Sequence, residues 1–407
     1  MKGNGSSPDS GEMKKGSRRL VFFDLMTSGH HVEYLAHVLR FARHSELTCV
    51  VDPVVVERLP DYGVDPDDRQ RARFLYPSRE DWRRIRTSKT EMWRGCEELR
   101  VLGRVVEQDA IDVCYLMEMN KYQYAIGTRM GRSIPADIRG ILLNPLGKTG
   151  KAARDFFLGA RKRSQIRWML RNRRVERVFL LNDDEKAEQM DKRFGRPGTF
   201  RGLKDPVVPY GMVCGGKSGA TFIQKSERIR FLLFGSLSER KGVFVALKAL
   251  NLIHDEMLGR FECVFAGEVN EPGGREFLKT LEELMTRRPM LRVLVVNRFL
   301  TNEETASLFS SSDCVLAPYL ESESSSGVIG HAAMHGKPII GSSEGLPGRI
   351  ICRYGLGVAL GSGDSHALAS AMARFVRGEL INVSETGMKR YVQERRPEVF
   401  VRTLLED

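Results

Sequence analysis

The sequence predicts an α/β protein built as two parallel-sheet domains. Three observations predict it: short runs that are apolar throughout, longer amphipathic stretches between them, and a break at the glycine-rich segment GMVCGGKSGAT (211–221). Strands covered by crossover helices on both faces read as continuous apolar runs, because neither side of the sheet meets water. A chain of 407 residues can also hold about two to three domains, each with its own core.

The elements follow in order. Residues 1–19, MKGNGSSPDSGEMKKGSRR, lack the apolar core of a signal and read as a flexible tail. RRLVFFDL (18–25) is the first strand. MTSGHHVEYLAHVLRFARH then turns to helical period, with Val32, Leu35, Ala36, Val38, Leu39 and Ala42 mostly on one face. LTCVVDP, IDVCYLME, DIRGILLN and VERVFLLN complete the first set of strands, and the first domain spans 20–212. Residues 213–221 are the linker. RIRFLLFGSL, FECVFAGE, LRVLVVNRF, DCVLAPY and KPIIGSS are the strands of a second domain, 222–380, separated by helical stretches such as NEETASLFSSS. An amphipathic segment, 381–407, is expected to be helical and to pack back on the first domain.

Hydrophobic content of 42% with 29% charged residues is globular composition and excludes a disordered chain. No apolar run approaches the roughly 18 residues of a membrane span, so a cytoplasmic protein is expected. The seven cysteines are scattered singly without a CxxC pair, which suits reduced thiols better than disulfides or a zinc ribbon. A net charge of +12 favours polyanionic partners: nucleic acid, anionic lipid headgroups or a phosphorylated substrate. RKRSQIRWMLRNRRVER (161–177), with Ile166, Trp168, Met169 and Leu170 interleaved, and WRRIRTSKTEMWR (82–94) could form a basic face for the inner, anionic surface of a membrane. A solvated helix packed on its own sheet fits the same residues. No RNA-binding signature accompanies the charge, so nucleic acid is not expected.

Three loops carry the candidate chemistry. ESESSSG (321–327) follows a strand and opens the helix GVIGHAAMHG, where unpaired N–H groups and the helix dipole favour an anion. Serines there can also serve as plain caps. FGSLSERKG (234–242) repeats the arrangement, and its Arg240 and Lys241 are read as lying in the first turn of a helix, where two cations call for an anionic partner. Two such loops in one domain favour a diphosphate held between them. SGHHVEY (28–34) puts Ser28, Gly29, His30 and His31 between a strand and a helix, at the end of the sheet where ligands gather. Either histidine could orient an acceptor hydroxyl, and a plain helix cap with exposed histidines fits the same residues; Glu33 is read as surface. HAAMH (331–335) has the i, i+4 spacing of a zinc pair but no general base between the histidines and no third ligand, so no metal site is expected.

GSLSERKG, then APYLESESSSGVIGHAAMHGKPIIG, EGLPG and YGLGVAL together resemble the donor half of GT-B glycosyltransferases, nearest to the retaining group called family four. The likeness is dense over about residues 230–360. The resemblance implies two Rossmann-like domains facing across a cleft and transfer of a sugar from a nucleotide diphosphate sugar, with retention and without a metal or other cofactor. It implies that Lys241 pairs with the donor diphosphate, in a loop that includes Gly235, and that Glu323 binds hydroxyls of the transferred sugar. Backbone amides at Ser325, Ser326, Gly327 and Val328 would face phosphate or sugar oxygens. His331 stands where the family has a carboxylate on the ribose, and can accept or donate only singly. Ser236 stands where the family often has Arg, with Arg240 as the replacement. A family histidine of the N-terminal half has Asn144 as its nearest counterpart. Acceptor-side residues would come from the first domain, and the acceptor could be lipid-linked. Two alternatives remain open: a nucleotide-sugar epimerase of the same fold, and a non-catalytic nucleotide-sugar or polyanion binder.

Overall fold

A computed structural model of the chain describes residues 18–27, 30–42, 46–143, 153–208, 226–269, 273–320, 323, 325–379 and 383–406, the side chains of 153–158 excepted. The linker 213–221, most of the N-terminal tail, Ser28, Gly29 and Asn144 lie outside the described residues.

Each domain is a parallel sheet covered on both faces, as the apolar runs predict. The first sheet has β1 (Arg19–Asp24), β2 (Glu46–Val51), β3 (Ala72–Leu75), β4 (Val113–Leu116), β5 (Asp137–Ile141), β6 (Val175–Leu181) and β7 (Phe200–Leu203), in the order β3-β2-β1-β4-β5-β6-β7. The second has β8 (Ile229–Phe234), β9 (Phe261–Ala266), β10 (Val293–Val296), β11 (Cys314–Ala317), β12 (Ile339–Ser342) and β13 (Gly357–Leu360), in the order β10-β9-β8-β11-β12-β13. Two apolar clusters per sheet, one on each face, form the cores. Strand order reverses between β1 and β4 and between β8 and β11, so a crevice opens at the carboxyl ends of those strands in both sheets.

Three strands escape the sequence reading: β3, β7 and β13. Each has four residues, sits at a sheet edge and is partly exposed, so none carries a long apolar run. Cys49, Cys96, Cys114, Cys263 and Cys314 are buried free thiols, and burial pushes Cys49 up to about 12.

The basic stretch resolves into separate parts. Within and just after the helix Ala153–Met169, Ile166, Met169 and Leu170 pack into the first domain's own core. Trp168 stays 38% exposed, with Arg171 4.9 Å over its ring. Trp93, 57% exposed, and Met92 project from the start of the helix Glu91–Asp109. Among the described residues no helix is long and apolar enough to cross a membrane.

The C-terminal segment divides its contacts between the domains. The helix Glu385–Gln393 buries Met388 and Tyr391 in the second domain's core. The helix Pro397–Leu405 buries Phe400, Val401 and Leu404 against the first domain, with Phe400 4.9 Å from the ring of Tyr34. Arg395, between them and 1% exposed, donates to Asn182 Oδ1 (3.1 Å) while its guanidinium stacks 3.6 Å from the Tyr391 ring.

Candidate active site

The lysine turn begins where β8 ends. Arg240 and Lys241 do not sit in the first turn of a helix: they close a short 3-10 turn, Glu239–Lys241, and the helix Val243–Leu252 starts only after Gly242. Gly242 has φ +76°, and a Cβ there would lie 2.0 Å from the carbonyl oxygen of Pro318, so only glycine lets this turn press onto the exit of β11. That contact delivers Lys241 to the serine loop. Its Nζ donates to Tyr319 Oη at 3.0 Å and to Ser326 Oγ at 3.5 Å, and lies 4.2 Å from the centre of the Tyr319 ring. Lys241 is 8% exposed, and no carboxylate pairs with it among the described residues. Burying an ammonium against hydroxyls and a ring without a counter-charge is costly, a cost that a bound anion would offset.

The helix Gly327–Met334 points its start at the same place. Ser326 is its N-cap, yet its hydroxyl makes no cap hydrogen bond to the first-turn N–H groups, of which Ile329 N donates to the Ser326 carbonyl at 3.2 Å. A Cβ on Gly235 would be 3.7 Å from Lys241 Nζ and 4.0 Å from Val328, so Gly235, Lys241, Ser326 and Val328 converge. Ser236 and Arg240 are exposed, and the carbonyl of Arg240 accepts from Leu320 N at 3.1 Å.

Glu323 faces the other domain. Its Oε2 lies 3.1 Å from Lys186 Nζ and 3.9 Å from Arg349, and Arg349 in turn donates to Asp183 Oδ2 at 3.0 Å. Ser325 accepts from Asn182 Nδ2 (2.6 Å) and donates to Asp205 Oδ2 (2.8 Å), whose other oxygen accepts from Tyr34 (2.5 Å). Asn182 holds a left-handed φ of 59°, tolerated by asparagine, at the end of β6. Between these groups lies a cavity of about 350 Å³, lined by His30, Glu33, Lys186, Asp205, Glu323 and His331 among others.

Of the histidine pair, only His30 lines the cavity. It stacks 4.8 Å from His31 and 4.7 Å from Tyr34, and burial, with His31 second, lowers its pKa. His31 is buried behind it, 2.6 Å from Asp24 and 3.7 Å from Glu118. Glu33 is half-buried on the cavity wall, 3.6 Å from His37, and so is not surface. His331 also lines the cavity, packed 5.1 Å from Phe309 and 6.3 Å from Phe234. Burial, and after it His335, pushes His331 down to about 4, so its ring is neutral at physiological pH. His335 ends the helix, donating from Nδ1 to His331 O at 2.9 Å and lying over Phe309. No group of three metal-ligating side chains occurs among the described residues.

Sequence reasoning missed Lys186, Asp183, Asp205, Tyr34, Arg349 and Tyr319. In NDDEK (182–186) the only local signal is a cap: Asp183 accepts from Lys186 N at 3.1 Å, as any helix-starting aspartate would.

Residues 228–377 match the model of the family described as glycosyl transferases group 1. No curated protein matches the chain. Solved structures match it nearly end to end. A glycosyltransferase from Rickettsia africae is 11% identical, with 96% of this chain and 97% of that one covered and a TM-score of 0.67. Anabaena HepE in complex with UDP-glucose is 13% identical, with 95% and 98% covered and a TM-score of 0.65. The UDP-forming α,α-trehalose-phosphate synthase of Burkholderia vietnamiensis is 12% identical, with 96% and 98% covered and a TM-score of 0.65. At these identities the likeness establishes the fold.

Proposed function

Residues 228–377 match the glycosyl transferases group 1 model and the whole chain has the GT-B fold, and on that premise we propose that it is a glycosyltransferase with a specific reaction. The chain moves a sugar from a nucleoside diphosphate sugar to an acceptor hydroxyl, with retention and without a bound metal. One observation carries this reading: Lys241, buried and without a carboxylate partner among the described residues, beside the start of the helix Gly327–Met334. Negative charge grows on the departing diphosphate as the glycosidic bond breaks, and a fixed ammonium with fixed N–H dipoles stabilises it there. The same groups supply the charge that a metal ion would otherwise bring, so activity should survive a chelator.

Glu323 accepts hydrogen bonds from the sugar hydroxyls, with Ser325 and Ser326 beside it. Neutral His331 contacts the ribose through one nitrogen, and His30 orients the acceptor hydroxyl from the first domain. Uridine diphosphate is the first donor nucleotide to test, given the UDP-glucose complex of HepE and the UDP-forming synthase of the same fold. Lys241→Ala should cut both transfer and donor hydrolysis about 10²–10³-fold in a purified assay. Unchanged rates would refute the reading.

A second reading, a nucleotide-sugar binder without turnover, draws on His331 in the ribose position and on Lys186 already holding Glu323. Tight donor binding with no product across a broad acceptor panel would select it. For the partner surface we propose anionic lipid, because Trp93 and Trp168 stand exposed on a domain rich in arginine. A lipid-linked acceptor fits that placement.

A further inference from the structure

We infer that Lys186 is the positioning residue that orients Glu323 for the transferred sugar, so that the sugar site is completed only across the cleft. The inference rests on the transfer reading above. It starts from which atoms are engaged. Both cations near Glu323 meet the same oxygen, Oε2: Lys186 at 3.1 Å from the first domain and Arg349 at 3.9 Å from the second. No contact to Oε1 accompanies them among the described residues, and the residue lines the cavity. A carboxylate with one oxygen held by an ammonium and the other open is a directed acceptor for a hydroxyl.

The first domain supplies this anchor from a rigid base. Lys186 lies in the first turn of the helix Asp184–Phe194, whose cap Asp183 binds both Lys186 N and Arg349. The side chain of Lys186 is 11% exposed and that of Glu323 is 21% exposed, so water screens the pair little. Glu323 itself belongs to a loop without regular structure, and its neighbour Ser325 is also held from the first domain, by Asn182 and Asp205. Without the lysine, nothing else from the first domain fixes the carboxylate among the described residues. A reacting group displaced by about 1 Å can cost a hundredfold in rate.

The test compares UDP with UDP-glucose as probes, replaced by the GDP or ADP pair if the wild-type chain binds those instead. Lys186→Met should leave affinity for the free nucleotide unchanged and lower kcat for transfer about ten- to a hundredfold. Lys186→Arg should restore much of that loss. Glu323→Gln should make the lysine irrelevant: the double variant should fall within about threefold of Glu323→Gln alone. Losses that multiply, or full activity in Lys186→Met, would overturn the inference. If Lys186→Met does not fold, Lys186→Gln combined with Glu323→Gln runs the same cycle. Failure of the parent reading looks different, because a wild-type chain without any transfer product defeats it before Lys186 is changed.

Discussion

His331 shows how a side chain singled out in the sequence can still surprise in state. It lines the cavity, and the fold packs it against Phe234 and Phe309. A histidine held neutral in the fold but free to protonate when unfolded makes the unfolded chain the better proton binder. Between its ordinary value of 6.5 and about 4, stability therefore rises with pH and is lost as pH falls. From pH 7 to pH 5 this amounts to about 2 kcal/mol. His30, also lowered, acts in the same direction. His331→Gln should lose less stability than wild type between those pH values, measured by urea midpoints; equal losses would mean that His331 is not buried neutral.

Elements are legible where their pattern is local. The strands β1, β2, β8 and β9 are six residues long and nearly all buried, and their apolar runs announce them. The four-residue edge strands β3 (ARFL) and β7 (FRGL) meet water and are mixed in composition, and β13 (GVAL) is a short apolar piece between glycines, whereas the edge strand β10 is announced by its longer run LRVLVV. The helix Pro397–Leu405 is legible as a helix, but its partner is not. It completes the first domain by covering the helix His31–Phe41 through Phe400, which is fully buried. Phe400→Ala should cost about 3–5 kcal/mol in denaturant unfolding. A loss below about 1 kcal/mol would show that the helix docks only loosely.

For the molecule as a whole, function depends on two sheets that present their carboxyl ends to one another. Arg395 and Asn182 join the halves beneath the cavity, while Lys186 and Glu323 join them across it. The outer face of the first domain carries a separate prediction. With Trp93 and Trp168 exposed amid arginines, anionic vesicles should float the protein at low salt and release it as salt rises. No retention on anionic vesicles at low salt would leave that face as solvated surface. By itself the sequence determined two parallel-sheet domains and, through a family resemblance, the turns bearing Lys241, Glu323, Ser325 and Ser326. These are legible because a strand exit, a turn and a helix start are set by neighbours within a few residues. Only the tertiary structure decided that Lys186, Asp205 and Tyr34 share one cluster with Glu323 and Ser325. Lys186 meets a partner 137 residues away, Asn182 one 143 away and Tyr34 one 171 away. Nothing in the local pattern around such residues differs from an ordinary cap or core position, since what sets them apart is a partner far along the chain, in the opposing domain for Lys186 and Asn182 and across the same domain for Tyr34.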